Sequence, residues 1–550
     1  MGLRHGRFLT RLRAPAPRPV NPLLTQDIEP AIVCRPRRDC AKFEVLVHLQ
    51  KRAGLACLGV GLLALAGRAA LLPWFPIPEP SVHDEFSYLL GADTFAHGRL
   101  ANPPHPMWVH FETFHVNFQP TYASKYPPAQ ALFLALGWKL FGHPWFGVWL
   151  SCGVMCGALC WMLQGWLPPR YALLGGLMAV AQWSLAGYWI NSYWGGAVAA
   201  AAGALVVGAV PRLVRRPTAS AAALAALGVI VLANSRPYEG ALTTVAAAAA
   251  LWLWRRRSGR RMRDLLAPRL ILPVAAILLS GLTAMGYYNY RVAGDPLVLP
   301  YSLHQKAYAA SPIFWMLPPQ PAPVYRHEVI RRFWEDWDKL IYDRAHAWPP
   351  RVAIAFYGML PFFLTLISLG TALVAVFLRR SRKVRIVLAI LAVPTAGLLL
   401  ERNSMPHYIA PAAGLALALV LLGVQYLHAR LGARAVIVFA GIFFTDVGLH
   451  VARNPTEYAN ERFAAERRRV VERLASAGGR HLVIVRYASS HDSHLEWVHN
   501  QADIDGSPIV WARDMGEARN RELLDYYRNR RIWLLEADAP DPALAPYAPR

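Results

Sequence analysis

Charge is scarce in this chain, and negative charge scarcer still. Only 17% of its 550 residues are charged, 34 of them acidic, while 55% are hydrophobic. A soluble domain averages ~25% charged and ~45–50% apolar, so a soluble globule is excluded as the main body. Cysteine is nearly absent, with six residues in all, which leaves no disulfide framework. Cys34 and Cys40 lie in a basic leader and Cys57 in the first apolar run. Cys152, Cys156 and Cys160 repeat every fourth residue without histidine or carboxylate nearby, which fits small, soft residues at a helix contact rather than metal ligands. No Gly-x-Gly-x-x-Gly follows a strand, so no dinucleotide site is expected. The middles of the apolar runs are nearly free of charge and no repeat is evident, which weighs against a transporter or lipid flippase, the rival class.

What is present is a series of apolar runs of ~20 residues, the length a hydrocarbon core ~30 Å thick demands of a helix. They predict an α-helical polytopic membrane protein with about eleven spans: 54–73, 145–166, 171–190, 195–211, 219–235, 238–254, 269–288, 351–378, 386–400, 408–428 and 434–451. The stretch Pro128 to Gly142 is shorter, opens on Pro127-Pro128 and carries Lys139, which suits a helix lying in the interface. The net charge of +24 would suit nucleic acid on a soluble protein. Here the arginines cluster between apolar runs, as in cytoplasmic loops, so no nucleic-acid partner is expected and the lipid bilayer is. Residues 1–50 read as a basic, poorly ordered cytoplasmic tail. If Pro128 to Gly142 does not cross, three clusters fall inside: Arg212 to Arg216, Arg255 to Arg263 and Arg379 to Arg385. The expected setting is the cell inner membrane, with residues 452–550 periplasmic.

The same threading gathers the unusual polar motifs outside. They are His83-Asp84-Glu85 in the first external loop 74–144, Asn191-Ser192-Tyr193-Trp194, Asn234 to Glu239, and Glu401-Arg402 through His407-Tyr408. The second large external loop, 289–350, carries Glu335-Asp336-Trp337-Asp338, read as a solvated helix rather than a cation site. Residues 452–550 read as a small α/β domain: a charged helix near 457–476, strands at 481–487, 508–512 and 531–536, and a helix at 515–528. Acceptor binding and plain stability are both open for it.

Asp84 and Glu85 have two readings. Ser81 caps a helix and the acids favour its first turn; or a carboxylate at a low-dielectric surface is a general base toward a hydroxyl acceptor. Arg236 and Arg402 at the membrane edge, helped by His407 and Lys125, suit a lipid phosphate, because arginine's planar fork makes two parallel bonds and negative charge builds on that leaving group. The bland alternatives are pairing of Arg236 with Glu239 and of Arg402 with Glu401 or headgroups. His83, Tyr88, Tyr126, Tyr193, Tyr238, Glu239 and Tyr408 flank these groups as candidate substrate contacts. Asp84, Glu85 and the acids near Asp336 could offer oxygens to a divalent cation, but the reading needs no metal and no cofactor.

His83-Asp84-Glu85-Phe86-Ser87-Tyr88, then Lys125-Tyr126-Pro127-Pro128 and the helix ending Leu140-Phe141-Gly142, resemble the opening of GT-C fold membrane glycosyltransferases. These include protein O-mannosyltransferases and lipid A aminoarabinose transferases. Pro406-His407-Tyr408-Ile409-Ala410-Pro411 resembles a late element of the same group. Asn191 to Gly196 and Asn234 to Gly240 are similar to a bacterial subset of the rhizobial lipopolysaccharide sugar transferase type. The resemblance spans residues 54–430 and departs from some relatives in the small tail. It implies a GT-C-like bundle forming a transmembrane domain over 51–451. It further implies inverting transfer of a hexose or pentose from a polyprenyl-phosphate donor to a glycan, lipid or protein acceptor, with Asp84 as base and Glu85 as the alternative.

Overall fold

The computed structural model describes residues 52–347, 352, 362–377, 381–403, 405–453 and 461–548. The basic tail, part of the expected span 351–378 (351, 353–361 and 378) and Ser404 lie outside them. Among the described residues six helices are long and apolar enough to cross a membrane, as a multi-pass protein requires: Ala53–Ala70 (α1), Trp145–Trp166, Gly196–Arg215, Pro268–Ala293, His407–Leu431 and Ala433–Arg453. The expected spans 219–235, 238–254 and 386–400 correspond to helices Ala219–Ala233, Pro237–Arg257 and Arg382–Leu398, and 171–190 to Pro169–Ala179 continued by a π-helical turn, Val180–Leu185.

Small residues set the helix crossings. A Cβ on Gly61 of α1 would stand 3.0 Å from the Gly153 carbonyl, so the two helices meet backbone to backbone, the packing small residues permit in lipid. Cys152, Cys156 and Cys160 are buried along that helix as free thiols.

The stretch after Pro127-Pro128 is a helix, Pro128–Phe141 (α3), whose 14 residues span about 21 Å and fall short of a hydrocarbon core. Proline in its first turn needs no N–H partner there. Leu132, Leu136 and Leu140 form an exposed stripe at helical spacing, as expected of an interface helix. The opposite side is clamped to Trp145–Trp166, where a Cβ on Gly137 would stand 2.0 Å from the Gly147 nitrogen.

Residues 461–548 build a four-stranded sheet in the order β4-β3-β5-β6, with β3 (His481–Arg486) parallel to β4 (Ile509–Arg513) and β5 (Arg531–Glu536), and β5 antiparallel to β6 (Leu544–Pro546). A short ribbon in the first loop, β1 (Val116–Asn117) with β2 (Ala123–Ser124), comes earlier in the chain. The sheet is not packed apart. Leu482, Ile484, Val510 and Leu523 share one apolar core with Leu90, Phe111, Val116, Phe118 and Tyr122 of the first loop. Polar ties reinforce it: Ala502 N–H donates to Asp93 (2.7 Å) and Arg513 to the Glu112 carbonyl (2.6 Å).

Candidate active site

Helix His83–Ala96 (α2) begins without a side-chain cap at Val82. The N–H groups just before its start are satisfied from inside the helix: one Glu85 oxygen accepts from Ser81 N–H (2.9 Å) and Val82 N–H (3.3 Å). The expected Ser81 cap is therefore replaced by a Glu85 clasp, because a carboxylate three residues into a helix can reach back to orphan donors. The other Glu85 oxygen accepts from Tyr193 N–H at 3.1 Å. Burial pushes this carboxyl up to about 7 against those bonds. Glu85 does not line the cavity described below, and neither does Tyr193, whose hydroxyl donates to the Pro78 carbonyl (2.8 Å). In that motif Asn191 accepts from Arg68 (3.3 Å), so it also serves the scaffold.

Asp84, next along the helix, faces the other way into a cavity of about 490 Å³. Stretches far apart in sequence line it, among them Val82 to Asp84 with Tyr88, Lys125 to Pro128, Ala233 to Glu239, Leu299 to Ser302, and Glu401, Arg402, His407 and Tyr408. Of the residues expected at a site, His83, Asp84, Tyr88, Lys125, Tyr126, Arg236, Tyr238, Glu239, Arg402, His407 and Tyr408 are all in its wall.

Tyr126 donates a short hydrogen bond to Asp84 Oδ1, and its ring stacks on Tyr88 at 4.4 Å. Asp84 Oδ2 lies 3.7 Å from His115 Nε2. His115 Nδ1 accepts from the Lys125 ammonium at 2.8 Å. Burial, then the nearby lysine, holds His115 well below the ordinary imidazole range, and burial pushes Lys125 down to about 8. Lys125 also sits 5.0 Å above the rings of both Tyr126 and Tyr301.

The cations differ in how committed they are. Arg236 lies over the Tyr408 ring (4.6 Å) and only 3.9 Å from Glu239, so the local partner anticipated from sequence is present but loose. Arg402 is buried and bound to Asp338 at 2.5 Å and to the Ser311 carbonyl. Asp338 comes from the acidic run expected to be solvated; that expectation is corrected, since Asp338 is turned inward on a π-helical turn, Phe333–Asp338, and burial pushes it up to about 6. Such turns recur at functional sites because they re-aim side chains. His407 stacks on Trp194 (5.1 Å) and lies 3.3 Å from the Tyr188 hydroxyl. Tyr238 donates to the Gly397 carbonyl at 3.1 Å, which makes it a wall residue.

Three contributors escaped the sequence reading. His115 holds φ +62, a conformation unusual for a side chain and invisible in sequence. Asp338 looked like part of an ordinary charged helix. His494 enters the wall from the loop after β3, whose Ser493 carbonyl accepts from His83 Nε2 at 2.9 Å. Burial drives His83 down to about 4. His83, Asp84 and His115 offer ligand atoms within 4.8 Å of one another, the described residues' one group suited to a metal ion.

No protein-family model and no curated protein sequence matches the chain. Solved structures do. ArnT from Cupriavidus metallidurans bound to undecaprenyl phosphate is similar at 12% identity, over 89% of this chain and 89% of that one, with a TM-score of 0.51. Its apo state is similar at 13% identity over 87% and 93%, with a TM-score of 0.50. The Archaeoglobus fulgidus oligosaccharyltransferase tethered with an acceptor peptide is similar at 9% identity over 90% and 69%, with a TM-score of 0.48. At such identities a likeness speaks for architecture: the chain is built on the GT-C fold of membrane glycosyltransferases.

Proposed function

We propose that this chain is an integral membrane glycosyltransferase that moves a sugar from a polyprenyl-phosphate donor to an envelope acceptor on the periplasmic face. The observation that carries the proposal is a single cavity in which Asp84 shares the wall with Lys125, Arg236, Arg402 and His407. A fold shared with transferases sets the prior, but function must be argued from the site.

In the proposed step an acceptor hydroxyl attacks the anomeric carbon from the face opposite the phosphate. The carbon–oxygen bond to the phosphate breaks, the polyprenyl phosphate leaves with the electron pair, and the configuration inverts. Asp84 takes the hydroxyl proton. Tyr126 occupies Oδ1, so Oδ2 is the receiving oxygen. Arg236 is the first phosphate ligand, because its fork is the least committed, and Lys125 adds a buried ammonium. Arg402, fastened to Asp338, shapes the wall and reaches the phosphate only by exchanging that partner. Resident metal is not part of the step. Eleven spans, an inside N-terminus and residues 452–550 as an outside domain complete the proposal; external labelling of a reporter after Arg216 tests the orientation.

The decisive experiment compares purified wild type with Asp84→Asn for transfer from polyprenyl-phosphate sugars to an envelope extract. General-base loss lowers turnover by about 10²–10⁴-fold. Equal activity removes Asp84 from the mechanism, and lipid movement without transfer by any donor points to a flippase.

A further inference from the structure

A second cavity, of about 290 Å³, opens among loop residues that the proposed transfer does not use, including Trp108, Glu112, Asn117, Phe118, Tyr308 and Arg326. One ring separates it from the first: Tyr308 lies 4.7 Å from His304, and His304 lies 6.0 Å from His115. We propose that this cavity holds a sugar ring of the acceptor, so that the acceptor is a glycan, a claim that rests on the glycosyltransferase reading.

The chemistry starts at Glu112. Its side chain is 2% exposed, and its Oε1 accepts from the Tyr308 hydroxyl at 2.8 Å. Its Oε2 is buried and has no hydrogen-bond partner, and Glu112 is among the residues lining the cavity. His327 Nε2 is 3.4 Å away, but that nitrogen donates to the Val109 carbonyl at 2.7 Å, and burial holds the ring down at about 3, so it stays neutral. An unpaired buried acceptor is costly, and a ligand hydroxyl would satisfy it. Beside it, Trp108 and Phe118 lie with rings 6.1 Å apart and 25° from parallel, an apolar platform suited to the C–H face of a sugar. Arg326 lies over Trp108 at 4.7 Å and is half-exposed at the rim, so it can trade that contact for the sugar.

Other ligands fit less well. Glu112 repels a phosphate, and a purely apolar ligand would leave its oxygen unpaired. An extended peptide would add to a strand edge, and the ribbon Val116–Asn117 with Ala123–Ser124, two residues per strand, is a short template for one. Glu112 and Arg326 together are close to neutral, which matches a hydroxyl-rich, uncharged ring.

The test uses the full chain in nanodiscs and saturation-transfer NMR. The probes are neutral gluco-oligosaccharides, the oligosaccharide released by mild acid from rough lipopolysaccharide, the intact lipopolysaccharide, and a Ser/Thr-rich peptide. At least one saccharide binds wild type, and its affinity falls at least tenfold in both Trp108→Ala and Glu112→Gln. Both variants stay folded, by a cooperative melting transition above the assay temperature, and keep undecaprenyl phosphate binding. Free oligosaccharide binding as tightly as lipopolysaccharide assigns recognition to the sugar alone; tighter lipopolysaccharide binding, with the same loss in the variants, assigns a lipid-borne glycan. Absence of saccharide binding overturns the proposal, as does binding that neither variant weakens or binding of the peptide alone. Because the readout is binding, it can fail while Asp84→Asn still abolishes transfer, and the reverse.

Discussion

Lys125 offers the sharpest test of the phosphate site, because its charge is expensive where it sits. Burial lowers it from 10.5 to about 8, a preference for the neutral amine of about 3 kcal/mol relative to water. A donor phosphate brings the missing counter-charge and should return the bound-state value to its ordinary range. Donor affinity is then linked to proton uptake between pH 8 and 10.5. Below about 8 the ammonium is already present and affinity is flat; above it, affinity falls up to tenfold per pH unit. Binding of undecaprenyl phosphate at pH 9.5 should be about 30-fold weaker than at pH 7. Stability of the empty protein runs the other way. Unfolded lysine keeps its proton up to 10.5 while the folded one releases it near 8, so Lys125 costs stability at low pH and the cost fades as pH rises through that window. Lys125→Met removes both slopes. Titrating undecaprenyl phosphate into nanodisc-embedded protein at several pH values, with melting curves alongside, reads them. Identical pH slopes in wild type and Lys125→Met would refute the role.

Further outcomes follow from neighbouring groups. Glu85→Gln keeps transfer within about tenfold of wild type, unlike Asp84→Asn, because Glu85 works on backbone donors and not in the cavity. Glu85 is raised from 4.5 to about 7, so its stability contribution is full below 4.5 and is lost as pH rises through 7; melting of wild type minus Glu85→Gln should fall across that window, and a flat difference would contradict the burial argument. Asp338→Ala strands a buried Arg402 and costs about 3–5 kcal/mol in chemical unfolding, most of it recovered in Asp338→Leu with Arg402→Met; a loss under about 1 kcal/mol would show that the pair is not buried in solution. EDTA leaves transfer unchanged; loss that Mg²⁺, Mn²⁺ or Zn²⁺ restores would move His83, Asp84 and His115 into a metal site.

Much of the architecture was legible because lipid imposes a coarse rule: long apolar runs, interrupted by arginine, have to be helices. The interface helix was legible for the same reason, since Pro127-Pro128 fixes its start and its 14 residues are too few to cross. What escaped was packing between distant pieces. Nothing local in residues 481–486 shows that β3 shares a core with Phe111 and Phe118, or that the following loop carries His494 to the cavity. The aromatic content of the first loop, read as interface anchoring, partly serves as that docking surface, a burial that depends on contacts hundreds of residues apart.

At the acidic pair, sequence offered two readings and the fold uses both, one for each residue. Adjacent positions on a helix point about 100° apart, so a single turn cannot send both side chains to one place. Glu85 lies three residues inside the helix start, where its carboxylate can fold back onto the N–H groups of Ser81 and Val82. Doing so buries it beside Tyr193 and removes it from the cavity. Asp84 is thereby left aimed at Tyr126 and His115. The cap and the candidate base are parts of one device: the clasp by Glu85 fixes the helix end from which Asp84 projects. It follows that Glu85→Ala should loosen the placement of Asp84 and lower turnover with donor affinity unchanged, while Glu85→Gln, still able to accept hydrogen bonds, should rescue it. A Glu85→Ala enzyme that turns over as wild type would uncouple the two.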